Sequence, residues 1–253
     1  DTLKVKLLAP FIKRYQPRLQ VSKQPESLRP VLLTTLQTDD GKMVFVKNSK
    51  AGCTTIANIL FHYSKGRHHG GRIHSERDDF RQGLEYWKEN LEALRSKTNT
   101  KFTFVRNPQS RAISAFTNFF VDKTNRAAPN HLKLIGGFGF SDENDVSRNF
   151  DVYLDYLQAC FEENAMRTDR HFRLQKINIG LGVIDYDLIG RLENFEHDLR
   201  KVFEMAGASE YMDKHADFRR DNRSSKNKLQ LTKLQQSKIE ALYAPDYEAF
   251  NYN

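Results

Sequence analysis

Residues 42–55 decide the fold: they read Lys42-Met43-Val44-Phe45-Val46-Lys47-Asn48-Ser49-Lys50-Ala51-Gly52-Cys53-Thr54-Thr55. The apolar run over residues 42–47 predicts a short buried strand. The small residues after it predict a turn, and the apolar periodicity from Ile56 to Tyr63 predicts a helix. Strand, turn and helix in this order are typical of an α/β domain with a mostly parallel sheet.

A second unit of the same kind begins with Lys101-Phe102-Thr103-Phe104-Val105, which predicts another buried strand. Asn107 and Pro108 predict a helix start, because Asn is a preferred N-cap residue and Pro fits the first helical position. Apolar spacing predicts further helices over 75–94, 150–163, 195–206 and 231–242, and a strand over 183–192.

The composition favours one domain. With 39% hydrophobic residues in 253, the chain has enough apolar material for one sizeable core. We predict a single domain over residues 41–253, with a long polar insertion near 122–148 of the kind that forms lids. Four of the seven prolines lie in residues 1–40, which predict an arm packed on that domain. We expect a soluble chain, because no apolar run is long enough for a transmembrane helix.

The charge balance predicts a polyanionic partner. Lys and Arg outnumber Asp and Glu by 40 to 32, a net charge of +8. Such a surplus suits nucleic acid, acidic lipid, acidic glycan or a phosphorylated cofactor. Cys53 and Cys160 are the only cysteines and lack the spacing of zinc sites, so we expect neither a structural metal nor a disulfide framework.

Both predicted turns are candidate anion sites, because helix N-termini at the carboxyl ends of parallel strands point N–H groups at ligands. In the first turn, small residues let the backbone approach an oxyanion and Lys50 supplies charge. Lys50 precedes Gly52, so the turn is not a Walker A loop. In the second turn, Arg106 and Ser114 converge on one anion if the helix begins at Asn107.

Two separate anion sites predict a ligand that is phosphorylated twice, with Arg111 adding charge near the second. The competing interpretation of each turn is a capped helix start beside a solvated cation.

Four motifs follow one another along the chain: Lys50-Ala51-Gly52-Cys53-Thr54-Thr55, Phe104-Val105-Arg106-Asn107-Pro108-Gln109-Ser110-Arg111-Ala112-Ile113-Ser114-Ala115-Phe116, Asp169-Arg170-His171-Phe172-Arg173-Leu174-Gln175 and Tyr186-Asp187-Leu188-Ile189-Gly190-Arg191-Leu192-Glu193. Together they resemble the carbohydrate O-sulfotransferases of the chondroitin 4-sulfotransferase and HNK-1 type. The first two resemble that family's 5′-phosphosulfate loop and 3′-phosphate motif. The chain departs from the family pattern at Ser49, Phe172 and Leu174, where Pro, Trp and Pro are usual.

The resemblance implies a three-layer α/β/α fold with a central parallel sheet, of the P-loop NTPase-like kind. It also implies transfer of a sulfuryl group from 3′-phosphoadenosine 5′-phosphosulfate (PAPS) to a carbohydrate hydroxyl, without a metal, leaving 3′-phosphoadenosine 5′-phosphate (PAP). Lys50 would stabilise the leaving bridging oxygen. The donor-binding residues implied are Ser49, Lys50, Ala51, Gly52, Cys53, Thr54, Thr55, Arg106, Ser114, Arg223, Ser225 and Lys226.

A general base must accept the proton of the acceptor hydroxyl, and histidine suits neutral pH. His74 is the first candidate, because it follows the first turn, lies just before the N-terminus of the helix predicted over 75–94, and matches the place of a catalytic histidine in the heparan 2-O-sulfotransferase relatives. The competing interpretation is a surface histidine that caps a helix. His171 is the second candidate for the base, or a substrate ligand together with Arg173.

Two other function classes compete with the sulfotransferase. One is a P-loop-like kinase acting on a small molecule with ATP and Mg²⁺, for which no Walker B acidic run is evident. The other is a basic nucleic-acid-binding module, for which no RRM, OB or helix-turn-helix signature is evident, so we expect no nucleic-acid partner. The expected compartment is the cytoplasm for a bacterial relative, or the Golgi lumen for a trimmed luminal domain.

Overall fold

A computed structural model describes residues 7–8, 11–12, 15–75, 80–215 and 229–252. The strands are β1 (Thr35–Gln37), β2 (Met43–Val46), β3 (Thr100–Val105) and β4 (Leu188–Arg191). The helices are α1 (Gln16–Ser22), α2 (Arg29–Thr34), α3 (Cys53–Lys65), α4 (Trp87–Arg95), α5 (Pro108–Phe116), α6 (Ala128–Ile135), α7 (Val146–Asn164), α8 (Gln175–Asn178), α9 (Phe195–Met205), α10 (Ser209–Lys214) and α11 (Lys233–Ala249).

Within the described residues, the four strands form one sheet in the order β1-β2-β3-β4. β2, β3 and β4 are parallel, with Phe45 opposite Phe102 and Phe104 opposite Gly190. β1 pairs antiparallel with β2 at the edge. The predicted mostly parallel α/β sheet is therefore confirmed, and both predicted strand–turn–helix units contribute to it.

The sheet lies between helices on both faces, since neighbouring residues of a strand point to opposite sides. Phe45 packs in a buried cluster with Ile56 of α3 and Leu199 of α9. Val44 and Val46 pack in another cluster with residues of α1, α2 and α4. This arrangement is the three-layer α/β/α fold that the sequence predicts.

The chain divides into two compact units. The first comprises Asp1–Asn48, Gly52–Val105 and Ile177–Asp221, and it contains the whole sheet. The second comprises Ser49–Ala51, Arg106–Lys176 and Asn222–Asn253. Residues 1–40 contribute α1, α2 and β1. The predicted arm over 1–40 and single domain over 41–253 stay predictions.

The second unit has an aromatic core. Its buried rings include Phe116 of α5, Phe150 and Tyr153 of α7, and Phe172. Phe116 contacts both Phe150 and Tyr153, and Tyr153 contacts Phe172. Tyr153 also contacts Phe120, which follows α5. α5 packs on α11 and α7 on α6, so this unit is helical.

The helix predicted over 75–94 is wrong in its first half. Residues 73–75 form a single 3₁₀ turn, residues 76–79 lie outside the described part, and the α-helix begins only at Trp87. Gly83 has φ 76° and ψ −153°, which no helix accommodates. The Gln37 N–H donates to the Arg81 carbonyl and the Gly83 N–H donates to the Thr35 carbonyl, both at 3.1 Å, so this segment pairs with β1 instead.

Two other boundaries differ from the prediction. The strand predicted over 183–192 is shortened to β4, because the N–H groups of Val183 and Ile184 donate to the Gly180 carbonyl in a turn. The insertion near 122–148 contains α6 and a 3₁₀ turn over Gly136–Phe138, so it is not a loop throughout. None of the helices in the described part of the chain has the length and apolar character needed to cross a bilayer.

Replacement of Gly190 by Ala should destabilise the fold. A Cβ atom there would lie 2.7–3.0 Å from three ring atoms of Phe104, a side chain that is fully buried in the sheet's core. Overpacking of this kind costs about 1–3 kcal/mol. Urea unfolding measures the change. Gly137→Ala is the matched control, because a Cβ there meets no atom within 4 Å; equal midpoints for both variants would contradict the packing argument.

Candidate functional site

The first turn leads directly into the N-terminus of α3. Gly52 is its N-cap residue, with φ 76°, and within the described residues no side chain caps this helix start. A Cβ at Gly52 would lie 2.8 Å from Cδ1 of Leu192. The left-handed backbone therefore favours glycine, and a Cβ atom would need the Leu192 side chain to move. The first N–H groups of a helix lack intrahelical acceptors and suit an anion.

The residues just before Gly52 belong to the second unit and are held by two arginines. The Arg111 Nε donates to the Ser49 carbonyl at 2.9 Å, and the Arg106 Nη1 donates to the Lys50 carbonyl at 3.3 Å. Lys50 has φ 69°, a left-handed conformation that costs a non-glycine residue about 1–2 kcal/mol. These bonds stabilise a backbone that the local sequence disfavours.

Arg111 is therefore a structural residue, which corrects the expectation that it adds charge beside a ligand. It is 1% exposed, and its Nη2 donates to the Arg170 carbonyl at 3.0 Å while Nε serves Ser49. A buried guanidinium that bonds two carbonyls positions backbone.

The second turn starts α5 as predicted. The Asn107 side chain accepts a hydrogen bond from the Ser110 N–H at 3.0 Å, so Asn107 is the N-cap and Pro108 begins the helix. Ser114 lies two turns into α5 and is half-buried. The helix thus begins at the residue from which Arg106 and Ser114 were expected to converge on one anion. That they bind an anion together stays a prediction.

The buried carboxylate of Asp246 supports the backbone of Arg106 through Gln175. Asp246 accepts from the N–H groups of Gln175 and Lys176 at 2.7 and 3.0 Å. The Gln175 side chain in turn bonds both the N–H and the carbonyl of Arg106, at 3.0 and 2.8 Å. Burial raises the pKa of Asp246, and it outweighs the two hydrogen bonds and the charge of Arg111, which lower that pKa. The Arg106 backbone is thus fixed on both sides.

His74 lies beside the first turn, in the first unit. Its Nε2 is 3.0 Å from Oγ1 of Thr54 and 4.0 Å from Sγ of Cys53. It is exposed, on the 3₁₀ turn over Ile73–Ser75. The expected position of His74 just before an α-helix is wrong, because α4 starts only at Trp87. The distances to Thr54 and Cys53 place His74 next to the start of α3, which follows the first turn.

His171 belongs to a histidine–carboxylate network in the second unit. Its Nδ1 is 2.6 Å from Asp169, whose other oxygen is 3.4 Å from Nε2 of His131. Burial raises the pKa of Asp169, but the hydrogen bonds from both histidines outweigh this and hold that pKa well below its usual range. An ionised carboxylate only accepts, so His171 carries its proton on Nδ1, and its Nε2 has the lone pair when the ring is neutral.

The charges around His171 favour the neutral ring. Burial lowers the pKa of His171, and although Asp169 opposes this, the cations Arg170 and Lys50 lower it further. The ring packs on Phe119 with 5.1 Å between centroids. His171 therefore has the features of a base at neutral pH.

The other predicted residues are less informative. Ser49, Ala51 and Thr55 are buried, and Cys53 is half-buried. Arg173 is 9% exposed and its Nη1 donates to the Met166 carbonyl at 2.8 Å; burial lowers the pKa of Arg173 to about 10. Its role in substrate binding stays a prediction. Arg223, Ser225 and Lys226 lie outside the described residues.

Sequence reasoning missed Asn118. The Lys50 Nζ donates to Asn118 Oδ1 at 2.6 Å. Asn118 lies past the second motif, and no composition or spacing signal pointed to it. Among the described residues, no group of three or more His, Cys, Asp or Glu side chains could hold a metal ion.

Comparison with known proteins identifies the family of this chain. The chain matches the model of the sulfotransferase family over residues 34–253. The chain belongs to the sulfotransferase family. The membership that the four motifs implied is thereby confirmed.

The relatives are distant and longer. Carbohydrate sulfotransferase 9 of Homo sapiens is 25% identical over 246 residues, which cover 85% of this chain and 52% of that protein. Carbohydrate sulfotransferase 11 of Mus musculus is 23% identical over 256 residues, covering 92% and 71% respectively. This chain thus spans about half of the first relative and under three quarters of the second. No solved structure matches it.

Arg111→Met should destabilise the protein by about 3 kcal/mol. The substitution leaves the carbonyls of Ser49 and Arg170 without their donors and removes a charge that favours the buried Asp246 carboxylate. Urea unfolding provides the measurement. Arg148→Met, on the exposed side of α7, removes an arginine of the same size as the control; if the two variants lost equal stability, Arg111 would not be holding the turn.

Proposed function

We propose that this sulfotransferase transfers the sulfuryl group of PAPS to a hydroxyl of a carbohydrate. The supporting observation is the turn that holds Lys50 in a left-handed conformation two residues before Gly52, the N-cap of α3, with Arg106 bonded to the Lys50 carbonyl. A cation fixed two residues before a helix N-terminus suits a phosphosulfate. The acceptor class rests on the relatives, whose names are carbohydrate sulfotransferases.

The donor's two anionic ends have separate sets of candidate ligands. The N–H groups at the start of α3, with the hydroxyls of Thr54 and Thr55, would bind the 5′-phosphosulfate. Arg106 and Ser114 would bind the 3′-phosphate, since a guanidinium binds phosphate bidentately. Arg223, Ser225 and Lys226 are further candidates at that end on the grounds of resemblance alone.

The reaction exchanges one S–O bond for another. The acceptor oxygen attacks sulfur in line with the bridging oxygen, a new S–O bond forms, the bridging S–O bond breaks, and PAP leaves with the electron pair. As in phosphoryl transfer, charge accumulates on the leaving oxygen, so positioning and electrostatic stabilisation dominate. The Lys50 ammonium would stabilise that charge. The hydroxyl proton passes to a histidine.

His74 is the proposed base and His171 the alternative. His74 neighbours the Thr54 hydroxyl, on the side of the turn that would hold the sulfonate. His171 has its Nδ1 proton directed to Asp169, which leaves Nε2 as the basic atom. Each arrangement suits proton acceptance, and substitution separates them.

Calorimetry with three ligands tests the function class. We expect PAP to bind, and ATP·Mg²⁺ and single-stranded DNA to bind far more weakly. Arg106→Ala should weaken PAP binding at least tenfold, because it removes a phosphate ligand. Lys50→Ala should lower kcat at least 100-fold, because it removes the charge opposite the leaving oxygen. Arg148→Ala, an exposed cation on α7, is the control for net charge. Binding of ATP·Mg²⁺ without PAP would indicate the kinase instead.

His74→Ala and His171→Ala distinguish the bases. We expect His74→Ala to abolish turnover over a panel of neutral and uronate-containing oligosaccharides, with PAP affinity unchanged, because the base does not bind the donor's phosphates. Turnover retained in His74→Ala and lost in His171→Ala would move the role to His171. In that case kcat should begin to fall only below the ordinary histidine pKa of about 6.5, since burial lowers the pKa of His171.

A further inference from the structure

Asn118 lies in a π-helical turn, Thr117–Val121, that directly continues α5. π turns are rare and are often found at functional sites. The Asn118 Oδ1 accepts from the Lys50 Nζ at 2.6 Å and from the Asn125 Nδ2 at 3.1 Å. Its Nδ2 donates to Oγ1 of Thr124 at 2.7 Å. Both the oxygen and the nitrogen of the amide therefore make hydrogen bonds.

The network fixes the orientation of the Asn118 amide. An ammonium can only donate, so the atom that faces Lys50 must be the amide oxygen. Asn125 donates to the same oxygen, and the Thr124 hydroxyl takes up the amide N–H. An amide turned the other way would oppose donors to donors. Lys50 thus meets an acceptor whose direction is set by Thr124 and Asn125.

Lys50 is consequently held at both ends by one stretch of chain. Arg106, just before α5, bonds its carbonyl, and Asn118, just after α5, bonds its ammonium. Without Asn118, the lysine side chain has many accessible rotamers, and ordering it has an entropic cost. An ammonium has three donors, so one bond directs it without using all of them.

We propose that Asn118 is a positioning residue for Lys50: it keeps the ammonium oriented toward the place where the bridging oxygen of the donor leaves. This inference rests on the proposed function. Asn118 would act on the reaction through Lys50, so it should affect the transition state, where charge reaches the leaving oxygen, more than the affinity for PAP.

A double-mutant cycle tests this relation. We expect Asn118→Ala to lower kcat about tenfold or more, with the Kd for PAP changed less than threefold, because the ammonium becomes disordered while the phosphate ligands stay. In the Lys50→Ala background, Asn118→Ala should have no further effect on kcat, since the residue it positions is gone. Equal loss in both backgrounds would overturn the proposal, because it would mean a general structural role. Asn130→Ala, exposed on α6, is the matched control.

A charged variant adds a second readout. Asn118→Asp keeps an oxygen near the ammonium but adds a negative charge where the donor's anion must bind. We expect the KM for PAPS to rise about tenfold with a smaller change in kcat, the reverse of the Asn118→Ala pattern. Matching patterns in the two variants would contradict the assigned role.

A reactivity measurement keeps this proposal separate from the proposed function. We expect Lys50 of ligand-free Asn118→Ala to be acetylated by acetic anhydride several times faster than in the unaltered chain, read by mass spectrometry without denaturant. If the unaltered chain neither binds PAP nor transfers sulfuryl groups, the proposed function fails, and with it the catalytic part of this inference. Unchanged Lys50 reactivity would overturn the claim that Asn118 holds Lys50, whatever the function.

Discussion

The candidate site depends on the hydrogen bonds by which residues 106–118 hold residues 49 and 50. Arg106 bonds the Lys50 carbonyl, Arg111 bonds the Ser49 carbonyl, and Asn118 bonds the Lys50 ammonium. A lysine at φ 69° is disfavoured by its own Cβ. Three hydrogen bonds from one helical stretch offset that cost and fix both the backbone and the side chain of the residue on which the proposed chemistry depends.

Buried polar groups extend this hold into the core of the second unit. Asp246 fixes the N–H groups of Gln175 and Lys176, and Gln175 fixes Arg106. A buried carboxylate is costly unless it is hydrogen-bonded, and here it orders a chain of bonds that ends at Lys50. The motif glutamine that resembles a family signature thus has a physical task, which is to satisfy both backbone groups of Arg106.

The sheet determines where the two turns begin. β2 and β3 are parallel, with Val46 opposite Thr103, so both turns begin at the carboxyl ends of the strands. Asn48, after β2, donates to the Phe104 carbonyl at 3.0 Å and accepts from Asn178 at 3.2 Å. Gly52 suits its position in the first turn, because its φ of 76° is a conformation that favours glycine.

Local sequence determined the strands β2 and β3, the helix starts after them, and the identity of the candidate turns, because apolar runs, an Asn-Pro helix start and a glycine turn act through their nearest neighbours. The tertiary structure alone decided the rest. Gly83 and pairing with β1 ended a helix that apolar spacing extends to residue 75. Burial made Arg111 structural, and Asn118 met Lys50 across 68 positions of chain. Such contacts are set by folding of distant segments, so no local pattern encodes them.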